Sequence, residues 1–197
     1  MTRSPHLPQF YLVTPEPSAD EPFAHFIARL EHALEGGIRL VQLRAKTLSA
    51  PQYAQLAEQA LVCCRLHEAR LLLNASVETV HSVGADGIHL TSTRLMACAS
   101  RPLPAELLVS AACHDEHQVL QANRIGADLL TVSPVLPTAT HTTAKPLGWP
   151  RFHELVTLTD IPVYALGGMT LDALAQAQEA GAQGIAAIRA LWGRGGQ

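Results

Sequence analysis

Between positions 42 and 46 the chain reads Gln42-Leu43-Arg44-Ala45-Lys46, polar and apolar residues in strict alternation. In a strand, that spacing sends Gln42, Arg44 and Lys46 to one side and Leu43 and Ala45 to the other. A guanidinium and an ammonium side by side can hold a phosphate or diphosphate, the arginine through its bidentate fork and the lysine as a point charge. A solvated strand end is the plain alternative. Further along, Gly167-Gly168-Met169-Thr170 and Ala187-Ile188-Arg189 each lead into a helical pattern. Paired glycines let backbone N–H groups approach an anion, and helix N-termini favour negative charge; a simple tight turn would leave the same sequence. Segment 133–146 is rich in hydroxyls and carries two cations at its distal end, the composition of a binding loop or of a mobile one.

His114, within Ala111-Ala112-Cys113-His114-Asp115-Glu116-His117, can move protons near neutral pH or merely start a helix. His114 with His117, and Cys63 and Cys64 with His67, fall short of a zinc ligand set, so no metal site is assigned. For Cys113, a small buried thiol is the simpler reading than a nucleophile paired with His114.

The elements that must position these residues are short apolar runs alternating with amphipathic helical segments, the pattern of successive parallel βαβ units. Eight strands are expected at 10–13, 39–43, 71–73, 87–90, 107–111, 129–132, 162–166 and 184–188, with helices such as 23–34, 51–66, 77–83, 117–125 and 171–180 between them. Gly84-Ala85-Asp86, Gly126-Ala127-Asp128 and Gly181-Ala182-Gln183 recur at helix-to-strand junctions, as does Gly36-Gly37-Ile38 without the alanine. Such recurrence implies a turn of constant geometry, with glycine as the left-handed cap. Eight units within 197 residues fit a single (β/α)8 TIM barrel spanning 1–197. The open doubly wound sheet would use the same local pattern, but no Gly-x-Gly-x-x-Gly follows an early strand. In a barrel the chemistry sits at the strand C-termini, and the loops after strands seven and eight are the recurrent phosphate site. The candidate residues above lie in those places.

Composition narrows the function classes. The chain is 48% hydrophobic and 16% charged with a net charge of −3 and no dense basic run, which speaks against a nucleic-acid partner. Its four cysteines lack the spacing of a disulfide framework and point to a reducing cytoplasm. The N-terminal MTRSPHLPQF has no apolar signal region, and no apolar run is long enough to cross a bilayer, so neither secretion nor a membrane partner is expected.

Tyr11-Leu12-Val13-Thr14, Val41-Gln42-Leu43-Arg44-Ala45-Lys46, Leu73-Asn74, Gly84-Ala85-Asp86-Gly87-Ile88-His89-Leu90, Pro134-Val135-Leu136-Pro137-Thr138-Ala139-Thr140 and Ala165-Leu166-Gly167-Gly168-Met169 occur in this order along nearly the whole chain. Together they resemble the thiamine phosphate synthase superfamily, which includes the TenI-type thiazole tautomerases. The resemblance implies a barrel that binds hydroxyethylthiazole phosphate, its phosphate surrounded by Thr138, Thr140, the Gly167-Gly168 backbone and the Ile188-Arg189 turn. It also implies that Gln42, Arg44, Lys46 and Asn74 match the residues holding hydroxymethylpyrimidine diphosphate in the synthases, which use Mg2+. A homodimer is a family-level expectation. Ser110-Ala111-Ala112-Cys113-His114-Asp115 and Pro146-Leu147-Gly148-Trp149 further resemble a barrel fused behind a Nudix hydrolase in some bacterial proteins. No Nudix signature is present, so any hydrolase partner would be a separate protein or lost.

The sequence departs from the synthase pattern where that pattern places its metal. Ala75 stands where a carboxylate is expected after Asn74, Ser76 stands for an arginine, and Thr91-Ser92-Thr93-Arg94 replace a glycine, a glutamine and a second acidic residue. His141 stands for a lysine, Ala112 for a serine and Arg189 for a serine. His114 falls where the tautomerases of the superfamily carry their proton-transferring histidine. On this reading a TenI-like tautomerase with His114 catalytic and no cofactor is preferred. The alternatives are a thiamine phosphate synthase with a rearranged Mg2+ site and a non-catalytic phosphate-ligand-binding domain.

Overall fold

The computed structural model describes residues 7–18, 21–138 and 145–192. Strands and helices alternate through β1 (Phe10–Val13), α1 (Phe23–Glu35), β2 (Leu40–Leu43), α2 (Ala50–Leu66), β3 (Arg70–Leu73), α3 (Val77–Val83), β4 (Gly87–Leu90), α4 (Ser92–Ala97), β5 (Leu108–Cys113), α5 (Glu116–Ile125), β6 (Leu129–Val132), α6 (Gly148–Val156), β7 (Val163–Leu166), α7 (Ala173–Glu179), β8 (Gly184–Ala187) and α8 (Arg189–Trp192). All pairings are parallel, each strand bonds to the next, and β8 returns to β1 in the register Phe10↔Ile185 and Leu12↔Ala187. The sheet is therefore a closed (β/α)8 barrel, and the open alternative is excluded.

Closure divides the apolar residues into two cores. Leu12, Val41, Leu43, Leu71, Leu73, Leu130, Val132 and Ile185 point outward against the helices, meeting residues such as Phe26, Leu30, Leu56 and Phe152. Their alternation partners fill the barrel itself: Tyr11, Leu40, Leu72, Leu108, Leu129, Tyr164 and Ala186. Tyr11 and Tyr164 meet edge to face at 5.5 Å across the lumen, an arrangement that aromatic quadrupoles favour.

The repeated junctions have one geometry and one cause. At Gly84 and Gly126 the backbone is left-handed (φ 73° and 69°), and the following alanine amide returns to a carbonyl five residues back, Ala85 to Val80 and Ala127 to Ala122. The aspartate that follows then fastens the new strand to the previous one. Asp86 Oδ2 accepts from Leu71 N at 2.8 Å, and Asp128 Oδ2 from Val109 N at 2.7 Å. At the third junction Gln183 instead donates its side-chain amide to Leu7 O.

Two differences from the sequence reading matter for the site. The fifth strand runs to Cys113, two residues past the expected end, so that Cys113 joins the outer core and His114 emerges at the mouth. Helix α4, unforeseen from periodicity, is a single short helix capped by Thr91, whose side chain accepts from Arg94 N. Helix α2 ends without a glycine cap, and Glu68 carries the positive φ of 55° there.

Candidate functional site

A cavity of about 840 Å³ opens at the C-terminal ends of the strands and gathers most of the residues singled out above. One wall holds Thr138, Gly167, Gly168, Ile188 and Arg189; the other holds Gln42, Arg44, Lys46 and Asn74; His114 stands between them. Thr140 lies outside the described residues.

The Gly167-Gly168 pair is demanded by packing as well as by any ligand. The segment after β6 lies against the end of β7, with Val135 N bonded to Leu166 O at 2.9 Å and Leu136 N to Gly167 O at 3.1 Å. A Cβ on Gly167 would come within 2.8 Å of Pro134 Cα, and one on Gly168 within 2.6 Å of Pro137 O. Both residues also have positive φ, 94° and 70°. The glycines thus allow two site loops to touch, which brings Thr138 to the same wall as the backbone of 167–168.

On the opposite wall Arg44 is oriented by Glu16. Arg44 Nη1 donates to Glu16 Oε2 at 3.1 Å, and the other carboxylate oxygen accepts from Thr47 N at 2.7 Å and Thr47 Oγ1 at 2.8 Å. Thr14 adds a bond from Arg44 N at 2.9 Å. Lys46 is exposed at the rim, and Lys145 joins it there as a cation the sequence reading placed only loosely, at the end of a long loop.

His114 is exposed, and its Nδ1 lies 2.7 Å from the carbonyl oxygen of Ser133. A carbonyl only accepts, so Nδ1 carries the hydrogen and Nε2 is left for proton transfer. Cys113 is turned the other way, buried in the outer core with its thiol pushed up to about 12 chiefly by burial. It cannot pair with His114 as a nucleophile. Among the described residues no group of three or more His, Cys, Asp or Glu side chains could hold a metal ion, the Cys63–Cys64–His67 set included.

Several site residues escaped the sequence reading because they lie inside strands rather than after them. His89 and Ser110 point into the lumen, and together with Gln42 and Tyr11 they form one buried chain. Gln42 Nε2 donates to Tyr11 Oη at 3.4 Å, Tyr11 Oη donates to Ser110 Oγ at 3.3 Å, and Ser110 Oγ lies 2.9 Å from His89 Nδ1. Burial, reinforced by the charges of Arg94 and Lys46, pulls His89 down to about 3, so it is neutral; burial pushes Tyr11 up to about 12. The floor of the cavity is polar and uncharged, whereas its rim is cationic. The signal available in the sequence was an isolated polar residue at inward parity, as in Gly87-Ile88-His89-Leu90 and Leu129-Leu130-Thr131-Val132.

Chain similarity bears on what this site serves. The family model described as thiamine monophosphate synthase matches residues 10–191. The chain belongs to the thiamine monophosphate synthase family. A thiamine-phosphate synthase of Methanospirillum hungatei is 32% identical over 92% of this chain and 88% of its own length. One from Synechococcus is 34% identical over 89% of this chain, which spans only half of that relative. Among solved structures, a thiamine phosphate pyrophosphorylase from Pyrococcus furiosus superposes with a TM-score of 0.75 at 24% identity, covering 94% of this chain and 87% of that one. That likeness shows the shared barrel.

Within this family the Mg2+ position can be tested against the residues present, and they do not fit. Neither Ala75 nor the Thr91–Arg94 stretch offers a carboxylate, and the Arg94 guanidinium donates to the Ala75 carbonyl, tying the β3–α3 and β4–α4 loops together directly. A cation already bridges these two loops, and a divalent ion would find charge repulsion there instead of ligands.

A second concavity, about 1040 Å³, opens at the opposite end of the barrel. Of its two arginines, Arg70 and Arg101, the second is committed to the fold: Arg101 pairs with Asp128 at 2.7 Å and donates to the carbonyls of Leu103, Leu107 and Gly126. In this fold that face serves stability. No helix of the described residues is long and apolar enough to cross a membrane.

Proposed function

We propose that this barrel catalyses the thiamine-phosphate synthase reaction, joining hydroxymethylpyrimidine diphosphate to hydroxyethylthiazole phosphate. The observation that carries this reading is that one cavity is lined by both candidate anion-binding sets, Arg44 and Lys46 on one wall and Gly167, Gly168 and Arg189 on the other. An isomerase acting on the thiazole phosphate alone has no use for the first set. The synthase names of the relatives support the same choice, and they turn the balance away from the tautomerase preferred in the sequence reading.

In the reaction the C–O bond between the pyrimidine methylene and the diphosphate breaks, the diphosphate leaves with the electron pair, and the thiazole nitrogen forms the new C–N bond. The developing charge on the diphosphate falls to Arg44, held in place by Glu16, and to Lys46 and Lys145 at the rim. Charge-assisted hydrogen bonds of this kind contribute about 1.5–3 kcal/mol each. The uncharged floor receives a neutral ring and keeps bulk water from the cationic intermediate. Thiamine phosphate formed from both substrates, with Mg2+ and equally with a chelator, is the expected result. No product under either condition would overturn the proposal.

A second reading rests on the fixed tautomer of His114, whose Nε2 is placed for proton transfer on a bound thiazole phosphate. It expects tautomerisation that needs no pyrimidine substrate and is lost in His114→Ala. A wild-type rate in that variant would remove it.

A further inference from the structure

Thr131 is the one buried side chain of the cavity floor whose polar atom has no hydrogen-bond partner among the described residues. It sits in β6 between Leu130 and Val132, both of the outer core, while Leu129 two residues back belongs to the interior core, so alternation aims Thr131 into the lumen. It has no exposed surface. Its strand neighbours in register are Ala112 and Tyr164. Ala112 has no polar side-chain atom, and the Tyr164 hydroxyl is engaged with Pro8 O at 2.5 Å. The neighbouring polar groups of the lumen, Gln42, Tyr11, Ser110 and His89, are bonded to one another. Trp192 Nε1, the other such atom, packs beside Phe26 and does not border the cavity.

A buried hydroxyl left unpaired costs about 1–3 kcal/mol. At a packed position that cost is pure loss, whereas on the wall of a cavity it is recovered when the cavity fills. The surrounding charge decides what fills it. Arg44, Lys46, Lys145 and Arg189 are at the rim and the floor is neutral, so an anionic group stays above while an uncharged polar group descends. We propose that the Thr131 hydroxyl is a specificity-determining contact which hydrogen-bonds the neutral heteroaromatic ring of a phosphorylated substrate bound ring-down in the barrel. This rests on the thiamine-type reading above and adds a residue and a binding orientation to it.

The test is calorimetric titration of wild type, Thr131→Val and Thr131→Ser with three probes: hydroxyethylthiazole phosphate, hydroxymethylpyrimidine diphosphate and inorganic phosphate. Valine keeps the shape and removes the hydroxyl, so the melting temperature should be unchanged or higher. The expected result is an affinity loss of about tenfold or more in Thr131→Val for at least one ring-bearing probe, the equivalent of one net hydrogen bond. Inorganic phosphate should bind as before, and serine should restore the affinity. Wild-type affinity of Thr131→Val for both ring-bearing probes would overturn the inference and leave the proposed reaction standing. If wild-type protein binds inorganic phosphate but neither ring-bearing probe, the proposed reaction falls, and this inference with it.

Discussion

Acidification should expose the neutral state of His89 as a measurable stability term. The imidazole is buried in the barrel and held at about 3, against an ordinary value of 6.5. In the unfolded chain it takes up a proton below about pH 6.5, while in the folded protein it does not until about pH 3. Unfolding therefore binds a proton over this window, and stability falls as pH drops through it. Each pH unit is worth about 1.4 kcal/mol, so at pH 4.5 the loss due to this one residue reaches about 2.7 kcal/mol, a substantial part of a typical domain's stability. The perturbation to compare is His89→Gln, which does not titrate and keeps a polar group facing Ser110. Urea denaturation of both proteins at pH 7, 5.5 and 4.5 isolates the effect, because the carboxylates common to both cancel in the difference. Wild type should lose stability relative to the variant by about 1.4 kcal/mol per unit below pH 6.5. Parallel pH dependences would show that the imidazole is hydrated and refute the dry, neutral floor on which the site description relies.

Arg44→Met should raise KM for the pyrimidine diphosphate about tenfold to a hundredfold while leaving thiazole phosphate affinity unchanged, as checked by steady-state kinetics and titration. Gly168→Ala places a Cβ 2.6 Å from Pro137 O at a φ of 70°, so thiazole phosphate binding should weaken at least about tenfold and the melting temperature should drop. Gly87→Ala directs a Cβ to 2.2 Å from Leu108 O, at the β4–β5 pairing; the expected cost is about 4 kcal/mol or more, read as loss of soluble, cooperatively melting protein. Of the four thiols, Cys63, Cys64 and Cys113 are buried with pKa values raised mainly by burial, and only Cys98 is partly exposed. One fast-reacting thiol per native chain toward an aromatic disulfide reagent at pH 8 is expected.

The barrel was legible because its determinants are local and repeated. Four-residue apolar runs fixed the strand positions to within one or two residues, and the Gly-Ala-Asp junctions pointed to a recurrent turn. What the local pattern did not reveal was that the aspartates of 86 and 128 bond the preceding strand, since that partner lies fifteen or more residues away. The rim of the site was legible for the same reason, because in a barrel the residue just after a strand is at the mouth. The floor was not. His89, Ser110 and Thr131 sit within apolar runs, and the isolated polar residue in such a run becomes a mark of the lumen only once closure decides which parity faces inward. Helix α4 was missed because six residues span too few turns for periodicity to register.

The seam between β1 and β8 joins residues 10–12 to residues 185–187, and Gly184 lies so close that an added Cβ would fall 2.0 Å from Gln9 O. During synthesis, β1 must therefore wait for nearly the whole domain to leave the ribosome before its outer edge is covered. Until then the nascent sheet has two open edges, at β1 and at the most recently made strand, and unpaired strand edges invite association with other chains. Ribosome stalling just before position 184 should therefore yield a sticky, protease-sensitive chain, and release of the last strand should convert it to the closed form in one step.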